Sequence, residues 1–180
     1  MQTFNIVWDT NRQTYYYNQV LFNNYSNIDD SIDKYKKNEP IKKFNRWFDK
    51  FNLIQTEQID ENIITLIHDN FNNIDNVTSN DIKSLLKTYK LNNNYKLIPS
   101  IYCTLKGKKF FISDEFRNII KDLFTKIIIN TSFYINYTFF LKNALIYLNE
   151  MDLSNSIPSI KSLDKHNEYV LIWKNFRNSL

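Results

Sequence analysis

The sequence is poor in the residues that build disulfides, metal sites and phosphate-binding loops. Its 180 residues include one glycine, three prolines, one cysteine and two histidines. Phosphate-binding loops need several glycines, so nucleotide-binding enzymes of that kind are excluded. A single cysteine excludes an intramolecular disulfide and every multi-cysteine zinc finger. We therefore predict no metal site and no cofactor.

Hydrophobic runs long enough to cross a membrane are also missing. The most hydrophobic uncharged run, residues 127–141, has 15 residues, whereas a membrane helix needs about 20 apolar residues. The first residues lack the basic and apolar regions of a signal peptide. We therefore expect a soluble intracellular protein without a membrane partner.

No catalytic group of side chains can be assembled from the sequence. Cys103 lies in an apolar helical pattern, which is typical of a small core residue. Asp60 and Glu61 are neighbours on a predicted helix and point about 100° apart, so they form no acid–base pair. His68 is expected on a helix surface or at a core edge, and His166 in a solvated first turn. We predict that the protein is not an enzyme and has no small-molecule substrate.

The chain does carry enough apolar residues to fold by itself. Hydrophobic residues make up 43% of it and aromatic residues 16%, which argues against a disordered chain. The formal net charge of +4 is compatible with a polyanionic partner without requiring one. Lysine supplies 19 of the 23 basic residues and gives point charges, whereas the arginine fork reads base edges.

The first 28 residues predict a β-hairpin arm. Residues 3–8 and 14–22 are rich in aromatic and β-branched residues, and turn-forming residues lie between them. A lone hairpin is marginally stable in water, so it must pack on the rest of the chain or on a partner. Three consecutive tyrosines cannot all face one side of a strand, which makes Tyr16 a candidate partner-binding residue.

From about residue 30 the apolar spacing becomes helical and predicts seven helical segments. Pro40 suits a first turn, residues 79–81 and 113–115 suit N-terminal caps, and Gly107 suits a helix end. Residues 133–148 are hydrophobic nearly all round and are placed centrally, with a strand as the alternative. The predicted fold class is mainly α, with a compact multi-helix domain over residues 30–180 behind the arm over residues 1–28.

Charge is distributed unevenly along the chain. Two basic clusters flank residues 54–81, which hold six acids and no lysine or arginine. Each run is either a solvated face or a functional surface, with phosphate-facing patches beside an acidic surface for a protein partner. The nucleic-acid-binding candidates are Lys36, Lys37, Lys42, Lys43, Arg46, Lys106, Lys108 and Lys109. The partner-binding candidates are Glu57, Asp60, Glu61, Asp69, Asp75 and Asp81, together with Tyr16.

Six collinear stretches over about residues 32–177 carry a family resemblance. They are KFNRWFDKF at 43–51, IKSLLKTYKLN at 82–92, YKLIPSI at 95–101 with Gly107 beyond it, and the helical stretches 115–127 and 133–148, followed by IKSL at 160–163 with IWK at 172–174. Together they resemble the poxvirus late-gene transcription factor 3-like family of large DNA viruses. No single stretch is specific, and the ordered set carries the resemblance.

The resemblance implies a helical domain and a non-enzymatic role in viral late transcription. On this hypothesis the protein bridges viral RNA polymerase or other late factors and DNA in the host cytoplasm, at the viral factory, with packaging in the virion left open. Members of the family carry a cysteine-rich zinc ribbon, which these 180 residues lack. The family's proline-rich turn after the glycine is replaced by KKFF at 108–111.

A second hypothesis stays open beside the first. The protein is then a virion structural or interaction protein derived from that fold, without a DNA role. Its hairpin would supply an edge strand for docking on a neighbour.

Overall fold

The computed structural model describes residues 7–9, 14–16, 26–130 and 134–179, with side chains from residue 38 onward. The chain divides into two compact units, residues 1–36 and 37–180. In the first unit, strands β1 (Val7–Asp9) and β2 (Thr14–Tyr16) pair antiparallel. Most of the predicted hairpin lies outside the described residues, so the hairpin arm and its boundary near residue 29 stay predictions.

Helices make up nearly all of the described chain, which confirms the mainly helical fold class. Two short 3₁₀ helices, Ile74–Asn76 and Asn92–Leu97, accompany eight α-helices in the described residues. The α-helices are α1 (Ser26–Ile54), α2 (Glu61–Asn70), α3 (Ser79–Thr88), α4 (Ile98–Leu105), α5 (Asp114–Asn130), α6 (Tyr137–Tyr147), α7 (Met151–Ser156) and α8 (Leu163–Arg177).

Three local predictions were wrong. Pro40 lies inside α1 and not in its first turn, because the helix begins in a polar segment that has no apolar periodicity. Helix α7 is absent from the prediction, since six residues are too few to show a period. The sequence also predicts a last helix with Tyr169, Val170, Trp173 and Phe176 on its apolar face, but Val170 is 43% exposed and Ile172 is buried instead.

Side-chain caps fix the starts of several helices, and one of these caps lies a residue away from its predicted position. Thr78, and not Ser79, caps α3, in a reciprocal capping box with Asp81. Ser79 is the first helical residue, and its hydroxyl donates to the Asn155 carbonyl at 2.8 Å. Ser113 caps α5 as predicted, with its hydroxyl accepting from the Phe116 N–H at 3.2 Å.

Three helices end in the same left-handed turn, although only one of them ends at a glycine. Gly107 has a φ of 66° after α4, while Lys90 after α3 and Asn149 after α6 have φ values of 58° and 62°. After α4, the Lys108 N–H donates to the Cys103 carbonyl at 2.8 Å, which closes a Schellman motif. The helix end predicted at Gly107 is thus confirmed.

The larger of two hydrophobic cores joins α1, α5, α6, α7 and α8. At its centre the fully buried ring of Phe44 stacks on Phe124 with centroids 3.9 Å apart, and meets Phe140 edge-on at 5.3 Å. Helix α6 supplies five buried residues to this core, which confirms its predicted central position and its helical state over residues 137–147.

The smaller core joins α2, α3 and α4. Ile98 and Ile101 of α4 belong to it, whereas Cys103, also in α4, belongs to the larger core, and the ring of Tyr102 packs against both. Helix α4 therefore lies between the two cores and links them.

A buried glutamine ties the end of α1 to the start of α4. The Gln55 side-chain amide donates to the Lys96 carbonyl at 2.8 Å, and its oxygen accepts from the Ser100 hydroxyl at 2.8 Å. The same hydroxyl lies 3.0 Å from the Gln55 carbonyl. Since the Gln55 side chain is buried, these bonds satisfy polar groups that would otherwise destabilise the fold.

Replacing the central ring should destabilise the fold strongly. We expect Phe44→Ala to lower the free energy of unfolding by about 3–5 kcal/mol, because the change leaves a cavity among packed rings. Urea denaturation followed by far-UV circular dichroism measures the change. Leu53→Ala on the same helix is the control, since Leu53 is 71% exposed, and should change the value by about 0.5 kcal/mol or less. Equal losses in the two variants would contradict this role of Phe44.

Candidate nucleic-acid interface

Helix α1 turns a row of basic side chains to solvent, opposite the aromatic row that it buries. Phe44 and Phe48 are fully buried, and positions two residues away from them lie on the other side of the helix. We call the exposed set the α1 basic face: Lys42, Lys43, Arg46 and Lys50.

Most of the α1 basic face has no carboxylate partner. Lys43 lies 3.7 Å from Glu39 one turn earlier, and Asp49 pairs with Lys121 of α5 at 2.6 Å. Lys42, Arg46 and Lys50 form no ion pair with any residue that the structure describes. Lys50 was not among the predicted site residues, although its spacing of four from Arg46 was a usable signal.

Two further lysines of α1 were predicted to contact nucleic acid. The side chains of Lys36 and Lys37 lie outside the described residues, and their assignment stays a prediction.

In the second basic cluster, two of the three predicted lysines already have partners within the fold. The Lys106 ammonium donates to the carbonyls of Ile74 and Asp75 at 2.7 and 2.6 Å. Lys108 pairs with Asp152 of α7, and this hydrogen bond raises the pKa of Lys108. Lys109 is exposed and forms no ion pair within the described chain. All three lysines stay predicted nucleic-acid contacts, and Lys109 is the one whose ammonium group has no partner within the described residues.

An open cleft of about 200 Å³ adjoins this cluster. It lies between the α1–α2 connection and the end of α4, and its lining includes Thr56, Ser100, Thr104, Lys108 and Lys109. The Lys109 ammonium is suited to a phosphate, whereas the Ser100 hydroxyl is bonded to Gln55 and Glu57 adds a carboxylate to the same lining.

The loop after Gly107 also presents an aromatic ring that the sequence analysis did not single out. Phe111 is 63% exposed, whereas Phe110 and Ile112 on either side are 4% and 1% exposed. The Arg117 guanidinium lies 6.0 Å from the centre of the Phe111 ring. The only available signal was the run of three apolar residues at 110–112, because three consecutive side chains of an extended segment cannot all face the core.

The predicted acidic surface divides into structural and free carboxylates. Asp60 caps α2 by accepting from the Asn62 N–H at 2.9 Å, Asp81 belongs to the α3 capping box, and Glu57 pairs with Lys96 at 3.0 Å. Asp75 lies in the first turn of the 3₁₀ helix Ile74–Asn76.

Three of the acidic candidates keep their charge exposed. Glu61, Asp69 and Asp75 are exposed, and none of them has an ion-pair partner in residues 38–130 or 134–179. The side chain of Tyr16 lies outside the described residues. The acidic surface as a partner site stays a prediction.

The cysteine and the two histidines lie in three different environments. Cys103 is buried as predicted. His68 is exposed near the end of α2. His166 was predicted to be solvated, but it is only partly exposed and meets the Phe139 ring edge-on at 5.6 Å, because it lies one turn before the buried Tyr169.

Neither a metal centre nor a membrane span is found in the described part of the chain. No three histidine, cysteine, aspartate or glutamate residues there lie close enough together to hold a metal ion. Cys103, the one cysteine, points into the core, so these residues do not fit the cysteine-rich zinc ribbon of the resembled family. None of the described helices is long and apolar enough to cross a membrane.

Exposed cations on a helical scaffold are typical of proteins that work beside a nucleic acid, and a family comparison gives the class. The family model described as Poxvirus Late Transcription Factor VLTF3 like matches residues 29–180, and the chain belongs to this family. This confirms the resemblance and indicates a role in viral late transcription. Comparison with curated proteins and with solved structures gives no match.

The buried thiol should react slowly in the native protein. Burial raises the pKa of Cys103 from its ordinary value of 9.0 to about 11, so its thiolate fraction at pH 8 is roughly 100-fold lower than in the unfolded chain. We expect a coloured disulfide reagent at pH 8 to label Cys103 in the native protein at least about 100-fold more slowly than in the protein unfolded by urea.

The same shift gives a sign for the pH dependence of stability. The neutral thiol is favoured in the folded state, so its contribution to the free energy of unfolding is fully present below pH 9 and is lost as the pH rises towards about 11.

For the labelling experiment, equal rates in native and unfolded protein would contradict the buried position of Cys103.

Proposed function

We propose that the protein is a non-enzymatic viral late transcription factor that bridges viral RNA polymerase or other late factors and DNA. Membership of the family supports the role in late transcription. The observation that supports a DNA contact is the α1 basic face, with three exposed cations that have no carboxylate partner in the described chain.

The spacing of these cations suits a phosphate backbone. Lys42, Arg46 and Lys50 follow one another at four-residue intervals, which places them about 6 Å apart along the helix axis. One strand of duplex DNA carries a phosphate about every 3.4 Å of its axis, so a row of about 12 Å spans three or four phosphates. Contacts of this kind position a protein without reading sequence, and promoter choice then rests with partner proteins.

The acidic residues supply the protein-facing side of the bridge. Glu61 and Asp69 are exposed on α2 and carry free charge, so they would attract a basic surface of a viral transcription protein. Asp60, Asp81 and Glu57 act mainly within the fold. The protein acts in the host cytoplasm, at the viral factory.

Charge reversal on α1 tests the DNA contact. In a salt series with labelled duplex DNA, we expect the triple variant Lys42→Glu, Arg46→Glu and Lys50→Glu to bind more weakly than the unaltered protein. The slope of log affinity against log salt should become shallower by about 2.7, since each lost phosphate contact removes about 0.9. Fluorescence anisotropy measures the binding.

The control changes the net charge by the same amount elsewhere. It carries Lys161→Glu, Lys165→Glu and Lys174→Glu, all at exposed positions, and should keep most of the slope. Equal losses in the two triple variants would show that only net charge matters and would refute the α1 basic face. If the unaltered protein does not bind DNA at low salt, the virion structural or interaction hypothesis replaces this proposal.

Charge reversal of Lys106, Lys108 and Lys109 is expected to lower DNA affinity as well. However, the first two changes also break contacts to Ile74, Asp75 and Asp152. Lys109→Glu alone is therefore the cleaner test of this cluster.

A further inference from the structure

The loop between α4 and α5 holds Phe111 outward in a fixed position. Its neighbours Phe110 and Ile112 are buried in the larger core, and the Phe110 ring meets Phe51 of α1 edge-on at 5.7 Å. With both neighbours anchored, the alternating direction of side chains in an extended segment turns Phe111 to solvent. A single exposed apolar side chain is ordinary on a protein surface, so what distinguishes Phe111 is its fixed position between two buried neighbours.

The Phe111 ring has one cation beside it and is otherwise largely exposed. The Arg117 guanidinium lies 6.0 Å from the ring centre, and it is itself held by Asp114 at 3.2 Å. No other ring or cation of the described residues stacks on Phe111. The ring is thereby oriented before any ligand arrives, which lowers the entropy cost of binding.

A free positive charge lies on the same side of the loop. Lys109 precedes Phe111 by two residues, so the two side chains of an extended segment start about 7 Å apart. This separation is comparable with that between a base and its own phosphate. Lys109 also lines the cleft of about 200 Å³, and Thr104 is part of the same lining.

The charges around the loop are otherwise balanced. Lys108 pairs with Asp152 and Arg117 with Asp114, and Glu115 is exposed in the first turn of α5. The unpaired Lys109 attracts the backbone of a duplex less than the three unpaired cations of the α1 basic face, because a duplex is recognised through several phosphates. An exposed ring beside one cation instead suits an unpaired base, whose face is free to stack.

We infer that Phe111 is a stacking platform for an unpaired base of a single-stranded nucleic acid, with Lys109 contacting a phosphate beside it. The inference rests on the proposed role at DNA and adds a second site, with a different ligand, to the α1 basic face. Duplex DNA keeps its bases stacked on each other and offers no free face to this ring.

The test compares single-stranded and duplex oligonucleotides. One strand carries a fluorescent adenine analogue whose emission falls when its ring stacks on another. We expect Phe111→Ala to weaken single-strand binding by about tenfold, to abolish the protein-induced loss of emission, and to leave duplex affinity and the salt slope unchanged. Phe111→Trp should restore both affinity and quenching, since it keeps an aromatic face.

Two further variants separate stacking from charge and from general loss of an exposed ring. Lys109→Gln should make the single-strand salt slope shallower by about 0.7 and keep the quenching. Tyr147→Ala removes another exposed ring, 46% exposed, and should change neither quantity. Deoxy and ribo forms of the same strand distinguish DNA from RNA as the source of the base.

The failure of this inference is distinguishable from failure of the proposed function. Unchanged single-strand affinity and quenching in Phe111→Ala, with duplex binding intact, overturns the platform alone. Equal weakening for single strand and duplex also overturns it, because stacking on a base cannot act on both. If the unaltered protein binds neither nucleic acid, both proposals fall, and Phe111 becomes a candidate contact for a protein partner.

Discussion

The packing of the Phe44 ring against Phe124 and Phe140 is the interaction on which the rest of the structure depends. It joins α1, α5 and α6 through ring contacts of 3.9 and 5.3 Å, and these helices carry most of the larger core. Because one side of α1 is committed to this cluster, the opposite side must face solvent. The position of the α1 basic face is therefore a direct result of aromatic packing on the other side of the same helix.

The second constraint is the position of α4 between the two cores. Gln55 holds its N-terminal end to α1 through Ser100, and the turn at Gly107 fixes where the chain leaves its C-terminal end. The loop that follows is anchored by Phe110 and Ile112. Its exposed side chains are thus presented by a framework with two cores beneath it, and not by a free segment.

The sequence predicts the features that depend on local pattern. Periodic apolar residues gave the helices, Ser113 gave a cap and Gly107 gave a helix end, since each follows from contacts within one or two turns. Features without a periodic apolar pattern were missed. Pro40 inside α1 follows a polar stretch without periodicity, and α7 is too short to show a period.

The candidate sites divide along the same line. Lys42, Lys43 and Arg46 of the α1 basic face were predicted, because charge and spacing are local, whereas Lys50 was not. The sequence did not reveal that Lys106 is held by two carbonyls, that Lys108 is paired with α7, or that Phe111 faces solvent between two buried neighbours. Each depends on a residue far away in the chain, or on which side of an extended segment meets the core.

The left-handed turns that end three helices have a consequence for the gene as well as for the fold. Glycine adopts a positive φ without steric cost, yet α3 ends at Lys90 with a φ of 58° and α6 at Asn149 with a φ of 62°. A residue with a β-carbon costs roughly 1–2 kcal/mol in this conformation, and asparagine bears it more readily than lysine. Lysine and asparagine have A/T-rich codons, whereas every glycine codon begins with two guanines. A bias in the coding DNA against guanine would therefore replace glycine at helix ends by residues that are strained at a positive φ, and the strain would be greatest at Lys90.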